Sequence, residues 1–169
     1  MANPKTEHLF EQAYRLAAGS TTGRPRQVDL RRAISSAYYG LFHFVLASLA
    51  DEFVGINQRA SNRYALVYRS VDHRTLKDLC IEAKKRNPSG RYLRYLPPGG
   101  FGAEIQEFSV FAVELQERRH SADYDPLARF RRSDVTLSID TARDAIRLLA
   151  SASTQRRKTF LTLLLCPPR

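Results

Sequence analysis

The sequence predicts an all-α protein, a compact antiparallel bundle of four to five helices. Three observations predict it. Apolar residues recur at spacings of three and four nearly throughout, and no run alternates cleanly with period two. The 169 residues, 43% hydrophobic and 10% aromatic with only eight Gly and eight Pro, describe one globular domain with a real core rather than a disordered or low-complexity chain. No internal repeat and no linker divides residues 1–169.

A first helix is predicted over residues 6–18, with Leu9, Ala13, Leu16 and Ala17 on one face; the glycines and Pro25 of the loop 19–25 stop it. The second starts at Asp29 as N-cap and runs to about Phe53. Its inner stripe is Leu30, Ile34, Ala37, Leu41, Val45 and Leu49, and it is nearly apolar all round after Ala37, which makes it the central helix. A short helix over 61–68 follows. Asp72 then caps a helix to about Lys85, with Val71 and Leu76 as a hydrophobic staple and Leu76, Leu79, Cys80 and Ala83 facing inward. Residues 87–100 hold too many Pro and Gly for helix and form the longest loop. The helix over 103–122 carries Ile105, Phe108, Ala112, Leu115, Arg119 and Ala122 in one seam. The last begins near Ser133 or Asp134, carries Val135, Ile139, Ala142, Ile146 and Leu149, and is expected to continue through Phe160 and Leu164.

Charge points to a polyanionic partner. Lys and Arg total 27 against 17 Asp and Glu, a formal charge of +10, and the usual counterpart of so basic a domain is nucleic acid. Arg outnumbers Lys, which favours planar, bidentate phosphate or base contacts. The cations cluster at Arg24, Arg26, Arg31 and Arg32; at Lys84, Lys85 and Arg86; at Arg129, Arg131 and Arg132; and at Arg156, Arg157 and Lys158. Arg91-Tyr92-Leu93-Arg94-Tyr95 interleaves cations with aromatics, as a single-strand stacking surface does; tyrosines pinning a loop to the bundle are the plain alternative. Cys80 and Cys166 lie far apart, match no metal spacing and read as free thiols, Cys80 in the core. The N-terminal residues lack a signal peptide's apolar run, and no segment is expected to reach the length of about 18 apolar residues that spans a bilayer, so the cytoplasm is the expected compartment.

Two polar and aromatic clusters sit where helices should bury aliphatics. Arg32, Ser36, Tyr39 and His43 fall at i, i+4, i+7 and i+11, one polar stripe on an apolar rod. Arg119 occupies the inward seam of its helix, between Arg118 and His120, with Asp123 four residues on. A buried polar group costs roughly 1–3 kcal/mol unless partnered, so the two clusters are expected to answer each other across the core. The bland alternative is an Arg119–Asp123 ion pair within one helix, with Tyr39 and His43 as satisfied core groups. His43, His73 and His120 lack metal-ligand spacing, and no phosphate-cradling glycine motif follows a strand, so neither metal nor cofactor is expected.

Ala37-Tyr38-Tyr39-Gly40-Leu41-Phe42-His43 on the central helix and Arg119-His120-Ser121-Ala122-Asp123-Tyr124-Asp125-Pro126 at the end of a later one resemble the HEPN superfamily, particularly its small stand-alone prokaryotic members. The resemblance covers roughly residues 6–149, and the Ala-Asp-Tyr-Asp-Pro half is the more specific. It implies a helical bundle, a homodimer that brings two Arg119 regions together, and in many members metal-independent endoribonuclease activity in toxin–antitoxin or phage-defence settings, with a cognate antitoxin or nucleotidyltransferase as partner. The family's catalytic signature is an Arg followed after four to six residues by His. Here Tyr124 stands in the histidine's place. An unperturbed phenol, with a pKa near 10, is a poor base beside imidazole near 6.5. The resemblance therefore implies an RNA- or nucleotide-binding protein with a degenerate motif. Arg119, Tyr124 and His120 are the candidate catalytic residues, and Arg32, Tyr39, His43, Arg118, Asp123, Arg131 and Arg132 the candidate binding residues. An active ribonuclease and a protein-interaction module remain the alternatives.

Overall fold

The computed structural model describes residues 4–19 and 23–168, so Met1 to Asn3, the Ser20 to Thr22 part of the first loop and Arg169 lie outside the described residues. Eight α-helices and one 3-10 turn follow one another, with no strand among the described residues. They are α1 (Pro4–Ala18), α2 (Gln27–Phe53), α3 (Asn62–Tyr68), α4 (His73–Ala83), α5 (Gly90–Leu93), α6 (Ala103–Tyr124), α7 (Arg132–Ser151) and α8 (Thr154–Leu165). The all-α expectation holds, while the count of four to five is too low. The four long helices α1, α2, α6 and α7 form the bundle, and the shorter ones pack around it.

Side-chain contacts fix the directions. Along α2, Arg31, Ser35 and Tyr39 meet Ala122, Asp123 and Arg119 of α6, so the two helices run antiparallel. On the other flank Ser36 and Gly40 meet Gln12 and Thr6 of α1, again antiparallel. Helix α1 in turn reaches α7 through Glu7–Arg143 and Ala18–Arg132. The predicted inner stripe of α2 is buried at every position. Contrary to the sequence reading, α2 is long and apolar enough to cross a bilayer. In the bundle 78% of that apolar window is buried, against α1, α6 and α7 above all.

Several boundaries differ from expectation for local reasons. Helix α2 is capped at Arg26, three residues early, so Asp29 is not its cap: it lies in the first turn, where a carboxylate complements the helix dipole, and pairs with Arg26 at 2.9 Å. On α1 the fully buried residues are Phe10 and Ala13, while Leu9 and Leu16 are half-buried. The face is set by Gly40, where an added Cβ would meet the Phe10 ring at 2.5 Å. Asp72 does cap α4, accepting from the Thr75 N–H at 2.8 Å, with Val71 and Leu76 both buried. The loop 87–100 contains the short α5, whose Tyr92 is buried. Its end is shaped by Gly102, at φ +83°, whose missing Cβ makes room for the Arg156 guanidinium. The predicted last helix is two. At Ala152 the backbone turns extended, ψ 144°, and Ser153 caps a new helix that brings Phe160 edge-on to Phe101 and Phe108. Cys80 is fully buried and Cys166 exposed, both as free thiols.

Candidate functional site

The polar stripe of α2 that faces α6 is not the predicted one. Arg31, Ser35 and Tyr39, spaced by four, form the seam; Ser36 faces α1 instead, and Arg32 is exposed beside the seam. Arg31 donates to the carbonyls of Ala122 at 2.9 Å and of Asp125 and Ala128 at 2.7 Å each. It therefore ties off the C-terminal end of α6 and holds the Asp-Tyr-Asp-Pro turn in shape, rather than offering charge to a ligand. Gln27 reinforces the same turn by exchanging two hydrogen bonds with the Phe130 backbone, at 2.9 and 3.0 Å.

Two turns along the seam stands Arg119, its side chain 13% exposed. Its Nε is buried 2.9 Å from Asp123 Oδ2, but the N–H is not aimed along that contact, so the pair is Coulombic and the donor has no aligned acceptor. Asp123 is held from the other side by the Ser35 hydroxyl, which donates to Oδ1 at 2.5 Å. Arg119 Nη2 donates to the Tyr39 hydroxyl at a long 3.4 Å, and Nη1 makes no hydrogen bond among the described residues. Three rings surround the cation: Tyr39, Tyr124 and Tyr38 lie 5.7, 5.8 and 5.9 Å from Cζ. Burial works against the charge, but the Tyr39 hydroxyl, Asp123 and Tyr124 outweigh it and raise the pKa of Arg119 further.

Behind Tyr39 lies an aromatic layer that the sequence reading only partly located. His43 stacks on Tyr39 and shares a 2.7 Å hydrogen bond through Nδ1 with the Tyr68 hydroxyl, so it sits one ring away from Arg119 rather than beside it. Burial, with help from Lys5 and His73, pushes its pKa down to about 4. His73, dismissed as a metal ligand in the sequence, is the unforeseen member. It is the first residue of α4, its Nδ1 shares a 2.8 Å hydrogen bond with the Tyr38 hydroxyl, and its ring lies 4.0 Å from Phe42 and 5.5 Å from Tyr39. Burial and then the Arg119 charge lower its pKa, so it is neutral near pH 7. Its Nε2 makes no hydrogen bond among the described residues. A signal existed: capping by Asp72 and the inward Val71 and Leu76 aim the first turn of α4 at the core.

The remaining predicted residues divide. Tyr124 is 64% exposed and packs at a tilt against the His120 ring, 4.9 Å away, forming the outer lip of the Arg119 cluster. Arg118 turns away, pairing with Glu114 at 2.7 Å and reaching Ser138 of α7. Arg131 and Arg132 open α7, both exposed; Arg132 donates to the Ala18 carbonyl at 2.7 Å and so helps fasten α1. The structure thus gathers Arg119, Asp123, Tyr39, Tyr124 and His120, places His43 one ring behind, and leaves Arg32, Arg118, Arg131 and Arg132 outside the cluster. No family model, no curated protein and no solved structure matches this chain.

Proposed function

We propose that the chain is a HEPN-like single-stranded RNA- or nucleotide-binding protein whose ligand phosphate engages Arg119 while a base stacks on Tyr124. The observation that carries this reading is the Arg119 guanidinium: a permanent cation fixed among three tyrosine rings, with its Nη1 edge unbonded among the described residues. Tyr124 offers a sequence-tolerant stacking face beside it, and the +10 charge favours a polyanion. The test is binding of a short single-stranded oligoribonucleotide across a salt series. Affinity falls with salt at a slope of about −0.7 per phosphate neutralised. Tyr124→Ala lowers affinity about tenfold at fixed salt, the loss of one stacked base, and Arg119→Lys, which keeps charge but loses the fork, weakens binding too. Failure of the wild type to bind any single strand at low salt would leave protein interaction as the better reading.

His73 favours a second reading, metal-independent RNA cleavage. A neutral imidazole in the tautomer whose Nδ1–H donates to the Tyr38 hydroxyl leaves Nε2 as the acceptor a general base needs, and the Arg119 charge acts on this ring from a different helix than the family's motif would use. Under this reading His73 takes the proton of a 2′-hydroxyl, the 2′-oxygen bonds to phosphorus, and the 5′-oxygen leaves with a proton from water, giving a 2′,3′-cyclic phosphate. Cleavage that survives EDTA and is lost in both His73→Gln and Arg119→Ala supports it; cleavage untouched by His73→Gln removes it.

A further inference from the structure

The Arg-Tyr-x-Arg-Tyr run is unused by the Arg119 site, and the structure divides its two tyrosines. Tyr92 is buried and pins α5 to the core, whereas Tyr95 is 51% exposed with the Arg94 guanidinium 4.9 Å above its ring. Tyr95 and Arg94 form one wall of a cleft of about 680 Å³, and α8 forms the other with Lys158, Thr159 and Thr162. Cys166 and Pro168 close its far end. No carboxylate side chain is among the described residues that line it. Glu52 pairs with Lys158 at 3.0 Å from outside the lining. Arg94 makes no ion pair among the described residues. The volume falls within the range of sites that enclose a drug-sized ligand.

We propose that this cleft binds one nucleotide of single-stranded RNA, its base against the free face of Tyr95 and its phosphate between Arg94 and Lys158. The elements decide the choice of ligand. A flat aromatic with a guanidinium over it, an ammonium across the gap and no acidic side chain among the described lining residues fit a base joined to a phosphodiester, and they repel a cation. The loop bearing Tyr95 leads into the N-terminus of α6, while Arg119 lies near its C-terminus. The two sites are thus on the order of 20 Å apart along that helix, and the second does not depend on the first.

The cleft carries its own reporter. Cys166 lines it and is exposed, whereas Cys80 is fully buried and its thiol is pushed up to about 12, so a maleimide labels Cys166 alone. Oligouridylate, added to the intact chain, is expected to slow alkylation of Cys166 about tenfold, in keeping with one base stacked in the cleft. Tyr95→Ala and Arg94→Ala each abolish the protection, while Tyr124→Ala and Arg119→Lys leave it in place. Tyr95 and Arg94 are exposed, so these variants keep the fold, which circular dichroism verifies. RNA that binds without protecting Cys166, or protection that survives both Tyr95→Ala and Arg94→Ala, overturns the proposal. Equal protection by uridine, which has the base but no phosphate, overturns the assignment to a nucleotide. If the Arg119 reading fails instead, binding loses its dependence on Tyr124 while Cys166 protection persists.

Discussion

Two arginines reach across the same seam between α2 and α6, and they are held in opposite ways. Arg31 spends its guanidinium on three carbonyls, each within 2.9 Å, whereas Arg119 has one long hydrogen bond, one misaligned ion pair and three aromatic faces. A guanidinium committed to three carbonyls is a structural clamp, because three of its five donors are spent on holding the backbone. A less committed one retains more donors for something else. Burial alone does not separate the two; the count of aligned acceptors does.

The sharpest way to break the comparison is to delete each arginine. Arg31→Ala leaves the carbonyls of Ala122, Asp125 and Ala128 without their donor and is expected to cost about 3 kcal/mol, read by urea denaturation, with faster amide exchange over residues 125–131. Arg119→Ala should cost less, about 1–2 kcal/mol, because Asp123 keeps the Ser35 hydroxyl and the tyrosine rings keep their neighbours. Equal losses would show that Arg119 is as much a clamp as Arg31.

A subtler difference appears with pH. His43 has its pKa lowered in the folded chain to about 4, and that of His73 is lowered as well. The unfolded chain, with imidazoles near 6.5, therefore binds more protons between those values. Stability is complete above about pH 6.5 and declines as pH falls toward 4. After discounting for the partial exposure of these rings, the loss is roughly 1–2 kcal/mol. His43→Phe removes most of that slope. Arg31→Ala lowers stability at every pH and leaves the slope unchanged, since Arg31 does not contact the histidine layer. The smallest effect is Tyr124→Ala on stability, under about 0.5 kcal/mol for so exposed a side chain, which makes its effect on RNA the cleaner measurement.

What was legible in the sequence followed helical periodicity. The stripe of α2 and the seam of α6, Arg119 included, could be read because each residue's neighbours repeat the same spacing. Arg31 and Arg32 could not be told apart, since adjacent positions lie about 100° apart on a helix and only the docking of α6 selects between them. The break between α7 and α8 was masked because Ser151 to Thr154 contains neither Gly nor Pro, and apolar residues continue beyond it. His73 was missed for a different reason. It enters the site from a third helix, a tertiary placement that no spacing within one helix encodes, although the Asp72 cap marked where that helix would begin.

Gly40 has a bearing on how the bundle finds its register. The Phe10 ring rests in the notch that this residue leaves on α2, and Thr6 donates to the Gly40 carbonyl at 3.3 Å. Sliding α1 by one turn in either direction would put Ser36 or Phe44 beneath the ring, where side-chain atoms already fill the space. The notch acts as a detent that only one alignment can enter, so α1 and α2 exclude their own near-miss pairings by shape rather than by added affinity. Gly40→Ala, favourable for an isolated helix by about 1 kcal/mol, would fill that detent and set the two helices free to compete among registers.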